Sequence, residues 1–195
     1  NVGKAKMQAY FYNDPWFDVG TVQAYWEANM HLLEPLPVFN LYNPDWMIFT
    51  NRGHHPPTHT WEKVDISSSI IGEGAVIKGK VAHSVIFPGV VLEEGTEVVD
   101  SIIFNDTVVE EKAKISLSIL DKNIVVGREA IVGWGDDLTP NVARPDLLNW
   151  GVSLVGKGSV IPAGTVIHRN CLVGIGIKEE HFGGKRELKS GEVLI

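Results

Sequence analysis

From about residue 65 the apolar positions of the chain keep a period that belongs to neither a helix nor a flat strand. Val85 and Val91 lead into Val98, Ile103, Val109, Ile115, Leu120, Val126 and Val132, at steps of five to seven residues. Helices return an apolar residue about every 3.6 positions and half-buried strands every second position. One aliphatic per six residues instead fits a triangular coil, in which three short strands make one turn of a parallel β-helix and each side points one aliphatic inward. Four segments repeat a second signature: Ser69-Ile70-Ile71, Ser84-Val85-Ile86, Ser101-Ile102-Ile103 and Ser118-Ile119-Leu120. Their serines are 15, 17 and 17 residues apart, close to three sides per turn. Successive turns would stack at the strand spacing of about 4.8 Å.

The pattern returns after a gap. Leu154, Val160, Val166 and Leu172 recur at every sixth residue, and so do Val155, Ile161, Ile167 and Val173. Gly156, Gly158, Pro162 and Gly164 fall where corners are expected, since a sharp bend often needs positive φ. The stretch from Gly133 to Trp150 breaks the pattern and reads as a loop excursion. The charged tail from residue 178, with Gly183-Gly184, reads as a cap on the open end of the solenoid, which otherwise offers an unpaired strand edge.

Upstream, the periodicity is different. Residues 1–20 read as strand, turn and strand around Asn13-Asp14-Pro15. Residues 21–34 read as one helix with Thr21 as N-cap. Val22, Tyr25, Trp26, Asn29, Leu32 and Leu33 lie near one face, and Glu34-Pro35 ends it. Residues 35–63 hold five of the ten prolines and read as an extended connector held by Phe39, Tyr42, Trp46 and Trp61. The division is therefore 1–34, a connector at 35–63, a β-helix at 64–177 with its excursion at 133–150, and a tail at 178–195.

Composition narrows the function. Twenty-four acidic residues against 17 basic ones leave a net charge of −7, which disfavours tracking a nucleic-acid backbone. The single cysteine, Cys171, rules out an internal disulfide and a Cys-rich zinc site, and its repeat position marks it as a small buried residue. No apolar run approaches the roughly 20 residues of a spanning helix. The opening residues lack the apolar segment of a secretory signal, and a cytoplasmic setting is expected. The chain does not start with Met and reads as a piece of something longer.

The first candidate chemistry is Trp16-Phe17-Asp18-Val19-Gly20-Thr21. An Asp just before a helix start can hold a divalent cation whose other ligands are water and phosphate, as Mg²⁺ prefers. Gly20 and Thr21, with the free N–H groups of the helix start, can face a phosphate or sugar. On the residues alone, Asp18 as a turn or capping residue is the simpler reading.

A resemblance changes that balance. Trp16-x-Asp18-Val19-Gly20-Thr21, then Ala24-Tyr25-Trp26-x-Ala28-Asn29, then Phe39-Asn40-Leu41-Tyr42-x-x-Asp45-Trp46, Pro56-Pro57 and Asp121-Lys122-Asn123 together resemble glucose-1-phosphate adenylyltransferases. The resemblance implies a mainly β chain: a left-handed parallel β-helix of hexapeptide repeats, preceded by a short α/β remnant of a nucleotidyltransferase domain. Its left hand is taken from helices of this type and not from the periodicity. The family's Gly-rich nucleotide loop, catalytic Arg and Lys and first metal-binding Asp lie in an N-terminal domain that this chain does not contain. The family's second metal-binding Asp matches Asp18, which makes it a Mg²⁺ ligand. The implied reaction is in-line attack of a glucose 1-phosphate oxygen on the α-phosphorus of ATP, releasing pyrophosphate and yielding ADP-glucose for glycogen or starch. The present chain alone is expected to be inactive.

In such enzymes the β-helix serves assembly, here expected as a homotetramer, and control by sugar-phosphate or nucleotide effectors. Effector anions need basic partners. Where the family carries Ile-Arg-Thr and Pro-Pro-Ala-Lys, this chain has Ile48-Phe49-Thr50 and Pro56-Pro57-Thr58-His59, leaving Arg52 and His59 as candidate effector contacts. His54, His55 and His59 cluster without a clear fourth zinc ligand. Glu93-Glu94, Glu110-Glu111 and Asp136-Asp137 read as solvated faces. Two other functions compete. One is a hexapeptide-repeat acyltransferase, with His83 or His168 as general base. The other is a non-catalytic regulatory or scaffold subunit.

Overall fold

A computed structural model of the chain describes residues 6–50, 53–62 and 64–195. The repeat region is a left-handed parallel β-helix with three flat faces. The first face stacks His59–Thr60, Val76–Ile77, Val91–Leu92, Val108–Val109, Val125–Val126 and Val160–Ile161. The second runs from Ile66–Ser67 through Lys80–Ala82, Glu97–Val99, Lys114–Ser116, Ile131–Trp134 and Val166–His168 to Glu187–Leu188. The third runs from Ile70–Ile71 through Val85–Ile86, Ile102–Ile103, Ser118–Leu120, Ser153–Val155 and Leu172–Val173 to Val193–Leu194. All pairing is parallel, one coil to the next.

One aliphatic per side fills the interior. In the coil after Ser101 these are Ile103, Val109 and Ile115, each at most 1% exposed. The phase of the first coils departs from the sequence reading. Ile86 and Leu92 are the inward residues, whereas Val85 belongs to an outer cluster and Val91 is half-buried. Paired aliphatics at each strand make the inward member ambiguous by one position, and a one-residue slip exchanges the two faces. In the later coils the inward set is Val155, Ile161, Ile167 and Val173.

The corners are not glycine alone. Asp106, Lys112, Asn123 and Glu129 take positive φ (57–59°) where other coils use glycine. At the corner between the second and third faces, Ser68, His83, Asp100, Leu117 and Asn170 all do so. Asn and Asp tolerate this region best. Lys112, Glu129 and Leu117 are each held there by an N–H bond to the preceding coil, and the Leu117 carbonyl also accepts the Ser153 N–H of the next, the kind of support that strained backbone needs. The Lys112 N–H, for example, donates to the Glu94 carbonyl.

The repeating serines follow this corner and form a polar ladder inside it. Ser84 N–H donates to Ser69 Oγ at 3.1 Å, Ser101 N–H to Ser84 Oγ at 3.1 Å and Ser118 N–H to Ser101 Oγ at 3.2 Å. Each hydroxyl donates in turn to the carbonyl two residues earlier. Ser153 and Cys171 continue the column, with Cys171 N–H on Ser153 Oγ at 3.2 Å. The ladder satisfies backbone groups that a tight corner leaves without strand partners.

Among the described residues 6–20 there is no strand, contrary to the strand-turn-strand expectation. A strand needs a hydrogen-bonded neighbour, and among the described residues no segment pairs with this one. The helix spans Val22–His31, shorter than expected, and Thr21 Oγ1 caps it by accepting Ala24 N–H at 3.1 Å. It lies on the outside of the third face. Met30, which the helical reading passed over, is its one buried residue. Met30 packs with Tyr25, Trp26 and Leu33 against Ile70, Val85, Phe87, Ile102, Phe104 and Ile119. The tail does more than cap: it adds two strands of a further coil and seats Phe182, 2% exposed, in the core.

Candidate functional site

The segment before the helix is built by short-range bonds. Asp18 is exposed, and its Oδ1 accepts the Gly20 N–H at 3.1 Å, so the carboxylate closes the turn that leads into the Thr21 cap. The neighbouring Phe17 stacks on His31 at 5.6 Å and approaches Phe39 at 6.3 Å. This ties the turn to the far end of the helix and to the connector. Asp18, Gly20 and Thr21 are thus adjacent in space as in sequence.

Asp18 could offer a cation such as Mg²⁺ only one ligand from this turn. Gly20 occupies one carboxylate oxygen, and the other faces solvent. Among the described residues no group of three or more His, Cys, Asp or Glu side chains could hold a metal. A cation held by Asp18 would take its remaining ligands from water or phosphate. His54, His55 and His59 do not form such a group.

A cleft of roughly 340 Å³ lies beside this turn, lined by Tyr12, Asp14, Phe39, Asn40, Asn43 and Trp46 among others. Large aromatics around it stand open to solvent, Phe11 at 85% and Phe49 at 91%. Such a density of exposed aromatic surface marks a contact region.

The connector meets the β-helix through its histidines. His55 packs over the Gly74 corner, where a methyl group would sit 2.9 Å from the His55 Cβ. His59 opens the first face, pairs with Val76 and packs against Trp61 with the rings tilted at 41° and 4.6 Å apart. The Lys78 ammonium lies 5.1 Å over the Trp61 ring and bonds Glu93 at 2.7 Å. Arg52, the other candidate effector contact, lies outside the described residues. The sequence reading missed the His55 and Lys78 contacts, because both join residues that are remote along the chain and carry no local signal.

The acidic pairs serve as solvated partners along the corners. Glu111 bonds Arg128 at 3.0 Å, and Glu110 accepts the Arg128 N–H. Asp137 accepts both the hydroxyl and the N–H of Thr139, which holds its carboxyl below the ordinary range.

His83 and His168, the residues that an acyltransferase would call on, are not brought together. His83 pairs with Asp100 at 2.7 Å, and His168 with Glu187 at 2.9 Å. The coils carrying Val99, Ser116 and Trp134 lie between them. Around His83 the helix and the excursion converge: the Trp26 indole donates to the Asp100 carbonyl at 2.8 Å, and Trp150 packs on Trp26 at 5.3 Å. Arg169, whose pKa burial lowers, ties the excursion down by donating to the Gly135 carbonyl at 2.8 Å. Among the described residues no helix is long and apolar enough to cross a membrane.

Comparison with known proteins gives a consistent result. Residues 57–155 match the family described as GlmU-like, C-terminal hexapeptide. A glucose-1-phosphate adenylyltransferase of Thermotoga neapolitana is 46% identical over 192 residues, 98% of this chain and 45% of the relative. That of Thermotoga maritima is 47% identical over 189 residues, 97% of this chain and 44% of the relative. That of Acetivibrio thermocellus is 39% identical over 192 residues, 95% of this chain and 45% of the relative. The chain therefore spans just under half the length of the curated relatives it matches.

Proposed function

We propose, since this chain belongs to the GlmU-like, C-terminal hexapeptide family, that it is the assembly and regulatory portion of an enzyme making ADP-glucose and pyrophosphate from ATP and glucose 1-phosphate. The observation that carries this is the extent of the likeness. Glucose-1-phosphate adenylyltransferases match 95–98% of the chain, including the Asp18 turn and the connector, which a bare hexapeptide helix has no use for. The exposed aromatics of residues 10–49 support it, since they offer the contact surface that a catalytic domain would cover.

In this reading Asp18 would hold Mg²⁺ through one carboxylate oxygen, and the ion would supply charge screening for the phosphates. Gly20 keeps the other oxygen occupied and so fixes the direction of the free one. Thr21 holds the helix start, whose N–H groups favour an anion. The chain alone would not catalyse. Effector control is assigned to the connector, with His59 and Arg52 as candidate contacts, and the working form to a cytoplasmic homotetramer.

The test follows pyrophosphate release from ATP and glucose 1-phosphate with Mg²⁺ by the full-length gene product and its Asp18→Asn variant. Loss of most activity in the variant supports the reading. A fully active variant removes Asp18 as a ligand, and an inactive wild type favours a regulatory subunit.

A further inference from the structure

We infer that the excursion between Trp134 and Ser153 is a strap that positions Asp18, acting through the contact of Trp150 with Trp26. The inference rests on the reading of Asp18 as the Mg²⁺ ligand.

The helix that follows Asp18 has only ten residues. A helix this short is marginal on its own, so its place is set by what it packs against. Its inner side rests on the third face through Met30 and through the stacking of Tyr25 on Phe104 at 6.4 Å. Its first turns are fixed by Trp26, whose indole N–H donates to the Asp100 carbonyl. Trp150 closes on the same ring at an angle of 59°. Trp26 is thus held between a β-helix corner and the excursion, a few residues from Thr21 and the Asp18 turn.

The excursion is itself firmly anchored. Asn170 is fully buried, and its Nδ2 donates to the carbonyls of Leu138 and Thr139, both at 3.1 Å. Its Oδ1 accepts the Gly151 N–H at 2.7 Å, directly beside Trp150. Asn141, also fully buried, donates back to the Asn170 carbonyl at 2.8 Å. One asparagine therefore clamps both limbs of the excursion, and Trp150 projects from a rigid base.

The Trp150 indole N–H is buried with no hydrogen-bond partner. An unsatisfied buried donor is unfavourable, so the ring is useful here for its packing and not for its N–H. This sets up an asymmetry between the two tryptophans. Trp150→Phe keeps what Trp150 supplies, whereas Trp26→Phe loses the bond to Asp100.

The experiment uses the full-length gene product as wild type, Trp150→Ala and Trp150→Phe. It measures hydrogen exchange of the amides in Val22–His31 and the Mg²⁺ concentration that half-saturates pyrophosphate release. In Trp150→Ala the helix amides should exchange about two- to tenfold faster, the scale of a lost aromatic pair. Strands Val108–Val109 and Val125–Val126 should stay unchanged. Half-saturating Mg²⁺ should rise by about tenfold or more, as for other groups that orient a metal ligand. Trp150→Phe should match wild type in both measurements.

Wild-type exchange in Trp150→Ala overturns the strap. Faster exchange throughout the coils overturns its local action. Faster helix exchange with an unmoved Mg²⁺ requirement overturns the positioning of Asp18. If the wild type releases no pyrophosphate, the adenylyltransferase reading fails, while hydrogen exchange still decides whether the strap holds the helix.

Discussion

The Ser101 hydroxyl donates to the Val99 carbonyl at 2.7 Å and accepts the Ser118 N–H at 3.2 Å, so one buried side chain joins two successive coils. The same arrangement at Ser84 carries Ser101. The serine repeat is therefore a structural column that lets the chain turn a corner without orphaned backbone groups.

Ser101→Ala should remove both bonds without changing the fold. The Val99 carbonyl keeps the Leu117 N–H, but the buried Ser118 N–H is left without a partner, at about 1–3 kcal/mol for such a group. We expect a loss of about 1–3 kcal/mol in denaturant unfolding. Ser101→Cys should lose less, because Cys171 already fills a rung of the column, with Sγ donating to the Lys189 carbonyl at 3.1 Å.

Gly133→Ala should be more damaging than most surface changes. Gly133 has φ +78°, and an added Cβ would collide with the Ser116 carbonyl oxygen. That oxygen belongs to the adjacent strand and cannot give way without breaking the ladder. A loss of more than about 2 kcal/mol is expected from such strain and overlap, read as a lowered unfolding midpoint.

Cys171 should resist alkylation while the protein is folded. Burial pushes its thiol up from the ordinary 9.0 to about 11, and the residue is fully buried. The folded state therefore favours the neutral thiol, and stability drawn from this group is complete below pH 9 and declines as pH rises towards 11. Iodoacetamide at pH 8 should label the native protein slowly and the unfolded protein at the rate of a free thiol.

Lys114→Ala should change stability by less than about 1 kcal/mol. Its bond to Glu97 joins side chains that are each about half exposed, 49% and 48%, and pairs of that kind contribute little. Thermal unfolding of the variant beside Ser101→Ala would separate the solvated corner pairs from the buried ladder.

Some of this was legible without coordinates. The six-residue step, the Ser-aliphatic-aliphatic signature and the Thr21 cap are local patterns, and each found its place. Asp18 as a turn residue was legible from its place before the helix, whereas its assignment to Mg²⁺ came from the family resemblance alone, since one exposed Asp before a helix carries no metal signal. Met30 was missed because the apolar face of so short a helix is poorly defined by spacing alone. Trp150 was missed because nothing near it in sequence says that it meets Trp26.

The sequence by itself determined the coil. A β-helix repeats one local rule, an inward aliphatic on each side and a bend between sides, so periodicity carries most of the fold. Only the tertiary structure decided which of two adjacent aliphatics points inward, because a stacked coil selects phase through contacts with the coil before it. It also decided where the helix rests, that non-glycine corners hold positive φ, and that the excursion returns to grip Trp26. These depend on the meeting of residues far apart in the chain, where burial and hydrogen bonding outweigh any preference a single segment can express.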